Sequence, residues 1–173
     1  AAAAMTDSGG PRIDVALVHY PVVNRAGETI GSAVTNLDLH DIARAGQTYG
    51  VGAYWVITPY EDQRQLADQI VRHWTEGHGG RVNPHRRQAM ALVRICDDLE
   101  QAIDGAAARW GERPRLLATC ARPGRHSISY GRARRDLEQG RPLMLLLGTA
   151  WGLAPEVLDM ADEVLPPLQG AGS

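Results

Sequence analysis

The chain has 173 residues, 44% hydrophobic and 22% charged, with a formal net charge of −2 at pH 7. That length suits one domain with a substantial core. The apolar runs are too short to cross a membrane, no charged-then-apolar leader is read at the start, and the near-neutral balance excludes a protein that grips nucleic acid by bulk charge alone.

All 18 basic residues are arginine. GC-rich coding accounts for that usage most simply. Arginine nonetheless presents a planar fork suited to phosphate and never loses its charge, so a local arginine face is compatible with the balanced total. Cys96 and Cys120 form no CxxC pair and sit in apolar stretches. Both read as buried thiols of a cytoplasmic protein rather than a disulfide. The histidines, His19, His40, His73, His78, His85 and His126, show no ligand spacing, so no metal is expected.

Residues 1–12 read as a flexible tail or as residues left from expression, and 13–173 as a single domain. "IDVALVHYPV" predicts a first strand ending near His19 or Tyr20, because Pro21 fits poorly in a central strand. "NRAGETIGS" is a polar, glycine-bearing turn. "NLDLHDIARAGQTYGV" predicts a helix capped by Asn36 or Asp38 and ended by Gly50. "GAYWVITP" is the next strand. In "EDQRQLADQIVRHWTEG", Leu66, Ile70 and Trp74 repeat at helical spacing as a core stripe. "HGGRVNPHRR" reads as a polar loop and "QAMALVRIC" as a strand.

"DDLEQAIDGAAARWG" predicts a helix ending at Gly111, then "RPRLLATC" a strand, "ARPGRHSIS" a loop and "YGRARRDLEQG" a weak helix. "RPLMLLLG" is the most apolar strand. "LAPEVLDMA" is a short helix with Pro155 in its first turn. "DEVLPPL" is a short strand and loop. Strands alternating with helices imply an α/β fold with a mainly parallel sheet flanked by helices. Ligands of such sheets bind beyond the carboxyl ends of the strands.

Three strand-end loops stand out: "ATCAR" (118–122), "LGTAWGL" (147–153) and "LPPLQG" (165–170). Taken alone, Gly148 and Gly152 need only make a turn, and Trp151 only fill the core. The turn matches neither GxGxxG nor a P-loop, which argues against a dinucleotide or a nucleoside triphosphate. No GxSxG elbow supports a hydrolase.

Together these loops carry a resemblance. "LLLGTAWGLAPEVLDMADEVLPPLQG" resembles the second and third motifs of the SPOUT superfamily, the α/β-knot RNA methyltransferases. "DLHDIARAGQTYGV" is similar to the first motif of its SpoU branch, with Asp38, Arg44, Tyr49 and Gly50 in register and aspartate replacing asparagine. The chain looks most like a bacterial subfamily with "LVHYPV", "DLHDIAR" and "GT.WGL" signatures. The resemblance implies a carboxyl-terminal trefoil knot, S-adenosylmethionine (SAM) as cofactor, a homodimer and an RNA substrate, tRNA or rRNA, in the cytoplasm.

By position, the resemblance puts Thr119, Gly148, Thr149, Trp151, Gly152, Leu153, Leu165, Leu168 and Ser173 at the cofactor, mostly through backbone. Trp151 either packs near adenine or closes the loop. Arg44 is the implied catalytic residue, activating the acceptor or holding a phosphate, with Asp38 as a proton acceptor or a helix-end charge. Arg81, Arg86 and Arg87 are candidate RNA contacts. Ala150 stands where the SpoU motif has glutamate, and the two glycines lie one residue closer together, so ribose 2′-O and base nitrogen both remain as acceptors. Ser173 stands at the start of the pattern's Ser-x-Asn segment, and the helix that completes the knot is expected beyond it. The alternative from another class is a noncatalytic RNA- or nucleotide-binding α/β module.

Overall fold

The computed structural model describes residues 10–121, 127–168 and 170. Six parallel strands form the main sheet: β1 (Ile13–Val18), β4 (Tyr54–Ile57), β5 (Val93–Cys96), β6 (Arg115–Thr119), β7 (Leu143–Gly148) and β8 (Glu163–Leu165), in the order β5-β4-β1-β7-β6-β8. Two short strands, β2 (Val22–Val23) and β3 (Thr29–Ile30), make a separate antiparallel hairpin. The helices are α1 (Asn36–Tyr49), α2 (Glu61–Thr75), α3 (His78–Val82), α4 (Pro84–Met90), α5 (Leu99–Trp110), α6 (Tyr130–Glu138) and α7 (Pro155–Met160).

Side-chain alternation along the strands divides the core in two. Ala16, Val18, Leu116, Ala118, Met144 and Leu146 face α5 and α7. Val15, Leu17, Tyr54 and Val56 face α1, α2 and α4. With both faces covered, the strands read as nearly continuous apolar runs, as parallel strands must. The carboxyl ends of β1, β7, β6 and β8 lie level, since Val18 pairs with Gly148, Ala118 with Leu146 and Thr119 with Leu165.

Asp14 is a fully buried carboxylate within β1. The indole N–H groups of Trp55 and Trp110 donate to it at 2.9 and 3.2 Å. Burial holds its carboxyl above the usual aspartate value, against the lowering effect of those bonds and of the Arg109 charge. Arg12, expected in the tail, bonds to the Glu112 side chain and to the carbonyls of Gly140 and Trp110.

Several local expectations are corrected. The amino end of α1 is capped by Thr35 rather than by Asn36 or Asp38. Residues 78–87, expected as a loop, form α3 and the start of α4; Asn83 caps α4 and Pro84 opens it. The strand expected over 88–96 is confined to Val93–Cys96, because α4 runs to Met90. The stripe on α2 is only partly core: Leu66 is 43% exposed, Ile70 and Trp74 are half-buried against the core cluster, and the buried residue of α2 is Ala67.

Cys96 is buried, and burial together with the Asp98 and Asp97 charges pushes its thiol up to about 12, as an inert core thiol requires. Cys120, expected to be buried too, is half-buried at the end of β6.

Candidate functional site

A cavity of about 760 Å³ opens beyond the carboxyl ends of β6, β7 and β8. Its volume lies in the range of roughly 300–1,000 Å³ usual for small-molecule sites. Three loops converge on it. Thr119, Cys120 and Ala121 follow β6; Gly148 and Ala150 to Leu153 follow β7; Pro166, Pro167 and Leu168 follow β8. Pro155 and Leu158 of α7, Tyr130 of α6, and Val23, Asn24 and Gly27 of the β2–β3 hairpin complete the wall.

The β7 loop is tightly built. A Cβ on Gly148 would stand 2.6 Å from the backbone nitrogen of Leu153, so the loop folds back over its own first residue. The glycine is demanded by the chain's own approach to itself, not only by a ligand's. Ala150 has φ of 50° and Gly152 of 118°. A non-glycine residue in the left-handed region carries strain that the surroundings must hold, and such strain concentrates at functional loops. The hairpin supplies the hold. Trp151 N–H donates to the Val23 carbonyl and Val23 N–H to the Gly152 carbonyl, both at 3.0 Å. The Trp151 ring, 61% exposed, sits on the rim with the Arg25 guanidinium 5.9 Å from its centroid. It does not fill the core.

Thr149 turns the other way. Its hydroxyl donates to the Val18 carbonyl at 3.1 Å and bonds to the Ser32 hydroxyl. Ser32 in turn meets Nδ1 of the fully buried His19 at 3.0 Å. This polar chain ties the end of β1 to the β7 loop. Burial lowers the His19 pKa, opposed by the Asp38 charge, so the imidazole is neutral inside the chain of bonds. Thr149 is thus a brace of the loop, and its side chain is withdrawn from the cavity. Leu165 is likewise withdrawn, buried against Leu117 and Ala133. Thr119 lines the cavity while its hydroxyl donates to the Leu146 carbonyl at 3.0 Å.

Of the residues expected at the cofactor, the cavity therefore gathers Thr119, Gly148, Trp151, Gly152, Leu153 and Leu168. Ser173 lies outside the described residues. The hairpin contribution of Val23, Asn24 and Gly27 was not legible, because nothing local in "VVNRAGE" tells where its turn docks. Pro166 and Pro167 fall in the 165–170 loop already singled out, without a role of their own there.

The cavity suits SAM. Apolar residues and glycines make most of its walls, with Asn24, Thr119 and Tyr130 as polar groups, and among the described residues no arginine lines it to oppose a sulfonium. Among the described residues no group of three or more His, Cys, Asp or Glu could hold a metal. No helix among them is long and apolar enough to cross a membrane.

Arg44 and Asp38 do not line the cavity of their own chain. Arg44 is exposed on α1 and makes no ion pair among the described residues. The Asp38 carboxylate accepts from the Thr35 hydroxyl at 2.6 Å, and its backbone N–H donates back to that oxygen at 3.1 Å. Asp38 is therefore engaged in closing the first turn of α1. Arg81 and Arg87 are exposed, whereas Arg86 is half-buried with its guanidinium 4.8 Å from the Trp74 centroid.

The profile of a family described as SAM-dependent RNA methyltransferase matches residues 12–173. Proteins named tRNA (guanine-N(1)-)-methyltransferase from Oleidesulfovibrio alaskensis and Nitratidesulfovibrio vulgaris are 46% and 44% identical over 160 residues, 92% of this chain. The chain spans 37% of the length of each, so the activity in that name belongs to a longer protein. A SpoU methyltransferase from Streptomyces viridochromogenes, solved in complex with AdoMet, superposes with a TM-score of 0.55. That match covers 94% of this chain and 51% of the other at 16% identity, a likeness of fold.

Proposed function

The chain belongs to the SAM-dependent RNA methyltransferase family, and we propose that it transfers a methyl group from SAM to an RNA, a tRNA or an rRNA, in the cytoplasm. The observation that carries this reading is the cavity beyond β6, β7 and β8, built from the loops whose sequence resembles the cofactor motifs. Backbone groups of the 118–121, 148–153 and 165–168 loops hold the cofactor, with Trp151 on the rim. Bound there, SAM supplies an electrophilic methyl group on a sulfonium.

The protein's part is placement and electrostatics. In-line transfer needs the acceptor held at the cavity mouth and relieved of its proton. Arg44 is suited to this role, because its guanidinium can fix a phosphate bidentately and stabilise developing negative charge. Arg44 does not line the cavity of its own chain, which favours its serving the cavity of a second copy. A homodimer also accounts for the apolar rim, where Trp151 is 61% and Leu168 83% exposed. The carboxyl-terminal segment is read as the knotted part of the fold. Asp38 acts through the amino end of α1, setting Arg44's helix, and Arg81, Arg86 and Arg87 meet the RNA. The longer relatives that carry a tRNA name favour tRNA among the substrates. Ala150 in place of the SpoU glutamate keeps a base nitrogen beside the ribose hydroxyl as acceptor.

The test is calorimetric titration of the full chain with SAM and S-adenosylhomocysteine, followed by methyl incorporation into unmodified tRNA and rRNA. Saturable micromolar binding at about one cofactor per chain, with label entering RNA, is the expected result. Binding without transfer favours the noncatalytic module. A folded chain that binds neither ligand ends the methyltransferase reading.

A further inference from the structure

A second cleft, of about 490 Å³, lies between α1, α2 and α4, apart from the cofactor cavity. Its chemistry differs. Trp74 forms the centre of an aromatic group, with the His40 ring 5.4 Å away at 90° and the His73 ring 5.1 Å away at 89°. The Arg86 guanidinium lies over the same indole. Asn36 and Gln69 add amides, and Leu66 and Ile70 an apolar wall.

Two polar atoms here are buried without a hydrogen-bond partner, His40 Nδ1 and Arg86 Nε. Buried polar atoms in folded proteins are nearly always paired, with protein or with ordered water, so two together mark a place with hydrogen-bonding capacity to spare. The charge points the same way. No carboxylate lines the cleft, and Arg86 makes no ion pair among the described residues, although the chain has 20 acidic residues. Burial and the Arg86 and Arg44 charges lower the His40 pKa against the opposing Asp41 charge, which leaves a neutral imidazole in a cationic recess. A neutral imidazole both donates and accepts, as a base edge does. An arginine stacked on an indole without an ion-pair partner among the described residues, beside further aromatic rings and amides, matches a phosphate joined to a heterocycle.

We propose that this cleft binds one nucleotide of the RNA substrate, its phosphate on Arg86 and its base against Trp74, His40 and His73. RNA recognition commonly pairs phosphate contacts with stacking and edge contacts on unpaired bases. The site extends the reading of the chain as an RNA-modifying enzyme and rests on it for the identity of the ligand. Histidine and tryptophan here position RNA and touch neither cofactor nor methyl group.

The experiment titrates the full chain with the four nucleoside 5′-monophosphates, with inorganic phosphate and with the free nucleosides, following imidazole and indole resonances by NMR. At least one monophosphate should shift the His40, His73 and Trp74 signals saturably, with phosphate or nucleoside alone about tenfold weaker. Arg86→Gln should weaken that binding and the binding of unmodified tRNA by about tenfold, with S-adenosylhomocysteine affinity unchanged. His40→Gln should give the same pattern if Arg86→Gln proves poorly folded.

Absence of shifts at these three residues, or equal shifts in folded variants, overturns the proposal. So does equal affinity for phosphate alone, which would leave an anion site. Variants that lose self-association instead of nucleotide binding would overturn it too, marking an interface between copies. A chain that methylates RNA with nothing bound here loses only this inference. A chain that binds a monophosphate here but takes up no SAM loses only the methyltransferase reading.

Discussion

Gly148→Ala tests how the cofactor loop is built. The added Cβ would lie 2.6 Å from the Leu153 nitrogen, 2.9 Å from the Gly152 carbonyl carbon and 3.1 Å from Leu153 Cγ. Two of those are backbone atoms, so no side-chain rotation relieves the contact. Gly148 is not among the positive-φ glycines, so the cost is steric rather than conformational. Gly148 is paired with Val18 of β1, which holds residue 148 in place and leaves the 149–153 segment to move. Overpacking of this kind costs about 1–3 kcal/mol. If the loop shift appears in ligand affinity, that is roughly a 5–150-fold loss. Calorimetric titration with S-adenosylhomocysteine reads the affinity, and urea unfolding reads the stability. Gly111→Ala is the control, because its φ of 79° brings strain but its Cβ would meet nothing within 4 Å at the end of α5. It should lose stability and keep affinity. A Gly148→Ala chain with parental affinity and parental stability would refute the steric account and remove the loop from the site.

Thr149→Val should destabilise the chain by about 1–2 kcal/mol in urea unfolding, because it removes the hydroxyl that bonds the Val18 carbonyl and the Ser32 hydroxyl, while Thr149→Ser should restore most of the loss. Asp14→Asn should alter the pH dependence of stability. Burial raises the folded-state pKa of Asp14 above 3.8, so the folded chain holds its proton longer than the unfolded one. Its contribution is therefore fully present below the unfolded value and is lost as pH rises through the folded one; unfolding followed against pH should show that decline in the parent and not in Asp14→Asn. Arg44→Ala should leave S-adenosylhomocysteine affinity unchanged and slow methyl transfer by about 10²–10³, measured in single turnover with a saturating RNA. Equal loss of both would assign Arg44 to cofactor binding instead.

Much of the architecture was readable because it rests on local rules. Continuous apolar runs in "VALV", "YWVI", "RLLAT" and "LMLLLG" mark strands covered on both faces, and the intervening amphipathic segments require helices. Strand ends then point to a site, since a parallel sheet presents its ligands beyond them. Element order pointed to the loops at those ends, and the resemblance then placed Thr119, Gly148 and Gly152 among the residues that line the cavity.

The tertiary structure decided which way side chains turn and which distant surfaces meet. Thr149 and Leu165 sit at strand ends yet point into the body, one toward the Val18 carbonyl and the other toward Leu117 and Ala133. Period two along a strand gives alternation but not the face on which a loop residue lands once the strand has ended. The β2–β3 hairpin reaches the β7 loop across more than a hundred residues of sequence, and no local signal encodes that docking. Residues 78–87 do not read as helix because glycine disfavours helix locally, yet Gly79 and Gly80 are buried where α3 closes on His73 and Trp74. That closure, with α4 packed beside α1, turns an expected core stripe on α2 into the wall of a cationic cleft. Composition and periodicity determined the layers of this protein; contacts between residues far apart in the chain decided where the cofactor cavity and the α1–α2–α4 cleft lie and what lines them.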